Sequence, residues 1–337
     1  MKLSVWVTRS CNMDCDYCYE QDNLRDDMFI NEYEYIEKCI DFINTTCRRT
    51  NSNKLFIKFF GGEPLLKYSL TIYKFIKKLD NEILPGIRIF YSITTNGTLM
   101  TNEIIAWFKD NDIECALSID GNKSVYESNR HYKNGKSSWD TVDELIPKVV
   151  DNGLKLSARM TYNSKTVDSL YSSLMYLINR GFTVLKAIPD YFDDNWTDNQ
   201  IPILEEQIRL IYKFKYENQH IRINLDDDDL FIGRKGCAGG YSMFSVDRNG
   251  DIYPCTYIVG TPKFIIGNIF DNCEIPLNYT DGTQIHRKGC NGCKYYKCCK
   301  SSGCLYGNYK LSGRFDKVNN FFCSYRKILY SIKERGV

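Results

Sequence analysis

The chain has 337 residues, 43% of them hydrophobic, enough for one large domain and a smaller one. Lys and Arg number 44 against 42 Asp and Glu, a net charge of +2, which argues against a general nucleic-acid binder with its strongly basic face. No apolar run reaches the length of a membrane span and Met1–Val7 lacks the layout of a signal peptide, so the expectation is a cytoplasmic protein that engages neither membrane nor nucleic acid.

Short apolar, often β-branched runs predict buried parallel strands at Leu3–Val7, Leu55–Phe59, Ile87–Thr94, Ile113–Ser118, Leu154–Met160 and Thr183–Ile188. Helices are predicted near 31–48, 67–80, 101–110, 138–151, 167–180 and 203–218, two of them stopped by Asn152-Gly153 and Arg180-Gly181. Six strand-then-helix units predict an α/β fold: a partial (β/α)6 TIM-like barrel over residues 1–220, open because the units run out near 220. Beyond Leu230, Gly and Cys become frequent and helical periodicity returns only at Asn319–Arg335. Residues 221–337 therefore predict a small cysteine-rich domain held by metal more than by a core. The acidic run Asp226–Asp229 at the join reads as a solvated linker.

Fifteen cysteines need an explanation. An odd count with no export signal points to metal or cluster ligation and away from a disulfide framework. Cys39, Cys47 and Cys115 fall in predicted helix or strand and read as small buried hydrophobes. Cys11, Cys15 and Cys18 form C-x3-C-x2-C directly after the first strand. Three thiolates on one loop suit three irons of a [4Fe–4S] cluster and leave the fourth iron for a small ligand. A structural zinc site normally wants four protein ligands. The loop also leaves the C-terminal end of a parallel strand, where such folds bind ligands.

This motif, with Tyr17 before its third cysteine, resembles the signature of the radical S-adenosylmethionine (SAM) superfamily. Three further segments match in order, each closing a predicted strand: Gly61-Gly62-Glu63-Pro64, Thr95-Asn96-Gly97-Thr98 and Ser118-Ile119-Asp120-Gly121. The resemblance implies that an open iron chelates SAM and that one electron cleaves its sulfonium C–S bond. The 5′-deoxyadenosyl radical then takes a hydrogen atom from the substrate. It also implies that Gly61, Gly62, Glu63 and Pro64 meet the SAM amino group and that Asn96, Ser118 and Asp120 border SAM. Arg130 or Arg159 could pair with the methionyl carboxylate, and an ordinary ion pair explains either as well. Tyr17 and Tyr19 could pack near the adenine, and core packing explains an aromatic equally well.

The later cysteines resemble the SPASM domain: Cys237, Gly250-x4-Cys255, Cys290-x2-Cys293-x5-Cys299, Cys304 and Cys323. Cys299-x4-Cys304 has one residue more than that pattern, and Cys298 is an extra neighbour. The resemblance implies two auxiliary [4Fe–4S] clusters, three in all. Cys237, Cys255 and Cys304 would hold one, with Cys290, Cys293, Cys299 and Cys323 on the other. A zinc ribbon is the runner-up for Cys290–Cys304. The fourth position of the first auxiliary set stays open to three solutions: a substrate thiolate, Cys298, or Cys273.

The family acts mostly on peptides and proteins. The leading expectation is a maturase that cross-links side chains of a ribosomally made peptide by a thioether or C–C bond. It would draw electrons from a flavodoxin or ferredoxin, with a separate peptide-recognition protein as a further possible partner. The first alternative is a sulfatase-maturating oxidation of Cys or Ser to formylglycine. It is weakened because Thr256 stands where that family has an Asp base. The second is a non-catalytic electron carrier, which would not need the glycine motifs.

Overall fold

The computed structural model describes residues 1–20, 30–227, 230–231, 237–271, 275, 277, 287–299 and 304–336. Seven strands follow one another in parallel: β1 (Lys2–Thr8), β2 (Lys54–Gly61), β3 (Arg88–Thr95), β4 (Glu114–Ser118), β5 (Leu156–Tyr162), β6 (Val184–Pro189) and the short β7 (Arg222–Asn224). The helices are α1 (Glu32–Arg49), α2 (Tyr73–Glu82), α3 (Asn102–Asp110), α4 (Lys123–Glu127), α5 (Trp139–Asp151), α6 (Leu170–Asn179) and α7 (Gln200–Glu217). The expected α/β partial barrel is present, and β7 adds a seventh parallel strand that the sequence pattern is too short to reveal.

Local chemistry accounts for the elements. The Asn31 side chain accepts hydrogen bonds from Tyr33 N and Glu34 N, acids fill the first turn of α1, and Arg48 and Arg49 fill its last. Tyr35, Ile36, Cys39, Ile40, Ile43 and Cys47 recur at helical spacing and are buried against the sheet. Cys115 is buried on β4, so all three outlying cysteines are core residues. The predicted helix at 67–80 begins instead as a 3-10 turn over Pro64–Lys67 and a π-helical turn over Tyr68–Ile72 before α2.

The C-terminal region builds on the same sheet. Strands β8 (Met243–Val246), β9 (Asp251–Tyr253) and β10 (Gly267–Asn268) give the order β10-β9-β8-β1-β2-β3-β4-β5-β6-β7, with β8 parallel to β1. The last two helices are α8 (Leu305–Ser312) and α9 (Asn320–Glu334). Helix α8 escapes sequence periodicity because it is short and starts at Cys304 without a side-chain cap.

The acidic run corrects one expectation. Asp227 is 2% exposed, and its carboxylate accepts from Tyr212 Oη and Lys215 Nζ, each at 2.7 Å, and from Leu225 N at 2.9 Å. Asp226 pairs with Arg326 of α9. Asp227 is thus a docking point buried between α7 and α9, Asp226 is an ion-pair partner of α9 that keeps part of its carboxylate in water, and Asp228 and Asp229 lie outside the described residues.

A buried charge cluster ties the cysteine loop to β8. Arg9 Nε and Nη2 meet both carboxylate oxygens of Asp247 at 2.9 and 2.5 Å, and Nη1 meets Glu20 Oε2 at 2.8 Å. All three side chains are at most 7% exposed. The forked guanidinium matches a carboxylate as an ammonium does not. Replacing Arg9 by Met leaves two buried carboxylates unpaired and should cost about 3–5 kcal/mol. Denaturant unfolding of wild type and variant measures it, and a loss below about 1 kcal/mol would show the cluster to be solvated.

Candidate functional site

The ends of β1 to β6 open into one cleft of about 1270 Å³, counting its mouth. Its wall carries Cys11, Cys15, Cys18, Tyr17, Tyr19, Gly61, Gly62, Glu63, Asn96, Ser118, Arg130 and Arg159. Nearly every N-terminal residue singled out in the sequence therefore meets in one place. Asp120 and Pro64 stand behind the wall, Asp120 as a buried anchor and Pro64 as the first residue of its 3-10 turn.

The cysteine loop is held from two sides. Asp14 N donates to His131 O at 2.9 Å and Asp16 N to Asn129 O at 3.0 Å. Asn96 Nδ2 donates to Asn12 Oδ1 at 2.9 Å, and Asn12 Nδ2 to Thr98 Oγ1 at 2.8 Å. The glycine pair lets the second strand end against this loop. Gly61 has φ +138°, and a Cβ there would lie 2.2 Å from Thr8 O. A Cβ on Gly62 would lie 2.3 Å from Ser10 O and 2.9 Å from the Cys11 Cβ. Only glycine permits that approach.

Glu63 is 1% exposed, and its carboxylate already accepts from Leu65 N, Thr95 Oγ1 and Asn96 N at 3.0, 2.7 and 2.7 Å. It thus braces the Thr95–Thr98 turn as well as facing the cleft. Burial raises its pKa against the pull of those donors.

Asp120 is the anchor of the opposite wall. Its Oδ2 accepts from Tyr17 Oη at 2.5 Å and Arg130 Nε at 2.8 Å, and its Oδ1 from Thr161 N at 2.8 Å. Arg130 also lies over the Tyr17 ring at 5.2 Å. Arg130 is therefore engaged by a protein carboxylate. Arg159 makes no ion pair among the described residues and stays available for a ligand's anionic group. Burial, then repulsion from Arg159 and Lys186, pushes the cleft residue Lys58 down to about 8.

The cysteines sort into three sets. Cys15 feels the charges of Cys18 and Cys11, and burial pushes Cys15 up to about 12 and Cys18 to about 11. Cys255 feels Cys304 and Cys237, and burial pushes it up to about 12. Cys290 feels Cys299, Cys323 and Cys293, and these four line one cavity. Cys298 lies beside Cys299 and Cys293 and feels their charges, yet its Sγ donates to Tyr295 O at 3.4 Å and its thiol and carbonyl both engage Tyr330. Cys273 lies outside the described residues.

These donors fit iron–sulfur ligation by their chemistry. Buried thiols with raised pKa values stay protonated until a cation offsets the charge, so loading releases protons. Among the described residues, no group of His, Cys, Asp or Glu closes around a single metal ion. Met13 N points at Cys11 Sγ at 3.4 Å, the kind of amide contact that supports a bound thiolate.

Sequence reasoning missed Lys58, Thr161, Asp190, Tyr191 and Tyr257, all on the cleft wall. Position was the available signal: Thr161 lies near the end of β5, and Asp190 and Tyr191 follow β6 directly. Asp120→Ala removes the acceptor for three buried donors and should cost about 3–5 kcal/mol. Tyr17 should then become mobile, read as loss of Tyr17 ring order by NMR; a variant as stable as wild type would show that the three donors find other partners.

The Radical SAM superfamily model matches residues 6–169. The chain is 26% identical over 335 residues to the cysteine-type anaerobic sulfatase-maturating enzyme of Clostridium novyi (strain NT), covering 88% of this chain and 86% of that protein. It is 23% identical over 359 residues to the radical SAM cyclopropyl synthase TigE of Paramaledivibacter caminithermalis, covering 97% and 72%. Among solved structures, native anSMEcpe with bound AdoMet and Cp18Cys peptide superposes with a TM-score of 0.82 at 19% identity, covering 99% of this chain and 97% of that one, a likeness of fold. With its cysteine loop and glycine turns gathered on one cleft, the chain carries a radical SAM domain over residues 6–169, and a [4Fe–4S] cluster and SAM are the cofactors that superfamily implies.

Proposed function

We propose that this enzyme is a maturase of ribosomally made peptides that cross-links side chains through a thioether or C–C bond. Three [4Fe–4S] clusters would sit on the three cysteine sets. Residues 1–220 would supply the SAM cleft and residues 221–337 the two auxiliary sets.

One observation carries the reading. Tyr257, two residues after Cys255, lines the cleft and feels the charges of Cys304 and Cys255. The middle set therefore borders the space where a substrate must lie. Three described cysteines meet there, and Cys298 faces elsewhere. A substrate thiolate suits the fourth position.

When bound, the first cluster and SAM supply a one-electron cleavage that yields a hydrogen-abstracting radical. The chain's own residues position and shield that chemistry. Gly61 and Gly62 keep the second strand tight against the cysteine loop. Glu63, Asn96 and Ser118 offer polar groups to SAM, and Arg159 offers a fork for its carboxylate. A flavodoxin- or ferredoxin-type reductant and a separate peptide-recognition protein are the partners this reading calls for.

Formylglycine formation is the second reading. Similarity to sulfatase-maturating enzymes along most of the chain favours it, and Thr256 in place of an acid after Cys255 weakens it.

Replacing Cys11, Cys15 and Cys18 together by Ala should remove about four irons and abolish 5′-deoxyadenosine release, with the auxiliary clusters retained. Persistent SAM cleavage under strong reductant would refute the first site. Cys298→Ala should leave iron and sulfide content unchanged; a loss of about four irons would instead make Cys298 a ligand. Mass spectrometry of the peptide product separates the two readings. Either cross-link removes two hydrogen atoms without creating a carbonyl, and a thioether also blocks thiol alkylation, whereas formylglycine forms a hydrazone.

A further inference from the structure

We propose that Asp190 is the proton acceptor for the substrate thiol in the cleft, a role that rests on the peptide-modifying reading above. Asp190 follows the last residue of β6 and is 9% exposed, on the cleft wall. Its backbone is fixed: Asp190 N donates to Tyr162 O at 2.7 Å, and Trp196 Nε1 donates to Asp190 O at 2.8 Å. The Trp196 ring in turn stacks on Phe321 of α9 at 4.0 Å.

The carboxylate is only half used. Oδ1 accepts from Phe192 N at 2.9 Å, and Oδ2 accepts no hydrogen bond among the described residues. That single bond closes a local turn, which would explain an Asp at an exposed loop. It does not explain a buried one with an oxygen left over on the cleft wall. The charged groups of its own loop are Asp193 and Asp194, both acidic. Across the cleft, Arg130 is paired with Asp120, while Lys58 and Arg159 make no ion pair with any carboxylate among the described residues. Tyr17, Tyr19, Tyr191 and Tyr257 are tyrosines of the same cleft, where Glu20 is paired with Arg9 and Glu63 is held by its own donors. Burial, against the pull of the Phe192 N–H and with help from Asp193 and Asp194, pushes the Asp190 carboxyl up to about 6.

A base of that strength is ionised at neutral pH and still takes a proton effectively. In the step, the substrate S–H bond breaks, the proton goes to Asp190 Oδ2, and the electron pair stays on sulfur. An ordinary thiol near 8.5 lies within about three units of this carboxyl, and Lys58 and Arg159 favour the resulting anion. The cleft thereby gains the carboxylate that Thr256 does not supply. Below about pH 6 the base is protonated, so modification should fall on the acid side while SAM binding does not follow the same limb.

The test uses the reconstituted holoenzyme. An infrared titration of wild type minus Asp190→Asn should show one carboxyl titrating near 6; a carboxyl titrating near about 3.9 overturns the assignment. With a synthetic peptide carrying one cysteine between small residues, Asp190→Asn should lower modified peptide per 5′-deoxyadenosine by about 10²-fold. The acid limb near pH 6 should vanish, and Asp190→Glu should restore part of the yield. An unchanged ratio, or a loss confined to SAM cleavage, refutes the role. Failure of the wild type to modify the peptide counts against the maturase reading, and the infrared titration still judges Asp190.

Discussion

One buried carboxylate, Asp120, holds the working part of this enzyme together. It accepts hydrogen bonds from the cysteine loop through Tyr17, from the segment after α4 through Arg130, and from β5 through Thr161. Buried charge persists only when such donors satisfy it, and three donors from three segments fix those segments relative to one another. The loop with Cys11, Cys15 and Cys18 is consequently placed by the sheet and keeps little freedom of its own. Glu63 does the same from the other side, joining the second strand's turn to the Thr95–Thr98 turn.

A second constraint is steric. Gly61 and Gly62 bring the end of β2 to within backbone contact of Thr8 and Ser10, so the cysteine loop and the glycine turn form one wall. The Arg9 cluster extends that wall into the C-terminal region, because Asp247 follows β8 and β8 pairs with β1. The cysteine-rich segment is therefore grafted onto the barrel sheet by main-chain pairing and by a buried charge cluster. That graft brings Tyr257, and with it the middle cysteine set, to the cleft.

Charge distribution inside the cleft follows from which partners are already taken. Arg130 is paired with Asp120, whereas Lys58 and Arg159 have no carboxylate partner among the described residues. Asp190 lies on the wall at the β6 end, with the charges of Asp193 and Asp194 close by on the same loop.

The sequence by itself determined the β/α alternation, since buried parallel strands and amphipathic helices write their periods directly into the chain. It also determined the cysteine loop and glycine turns, because spacing and glycine's unique backbone freedom are local properties. Tertiary structure alone decided the rest. Strand β7 is three residues long and α8 has no side-chain cap, so neither carries a period or a stop signal of its own. Asp227 looks like solvated charge in sequence and becomes a docking point only when α7 and α9 close over it. Asp190, Lys58 and Tyr257 have no motif; distant strand ends and the C-terminal graft converge to bring them to one cleft, and convergence is not encoded in any local spacing.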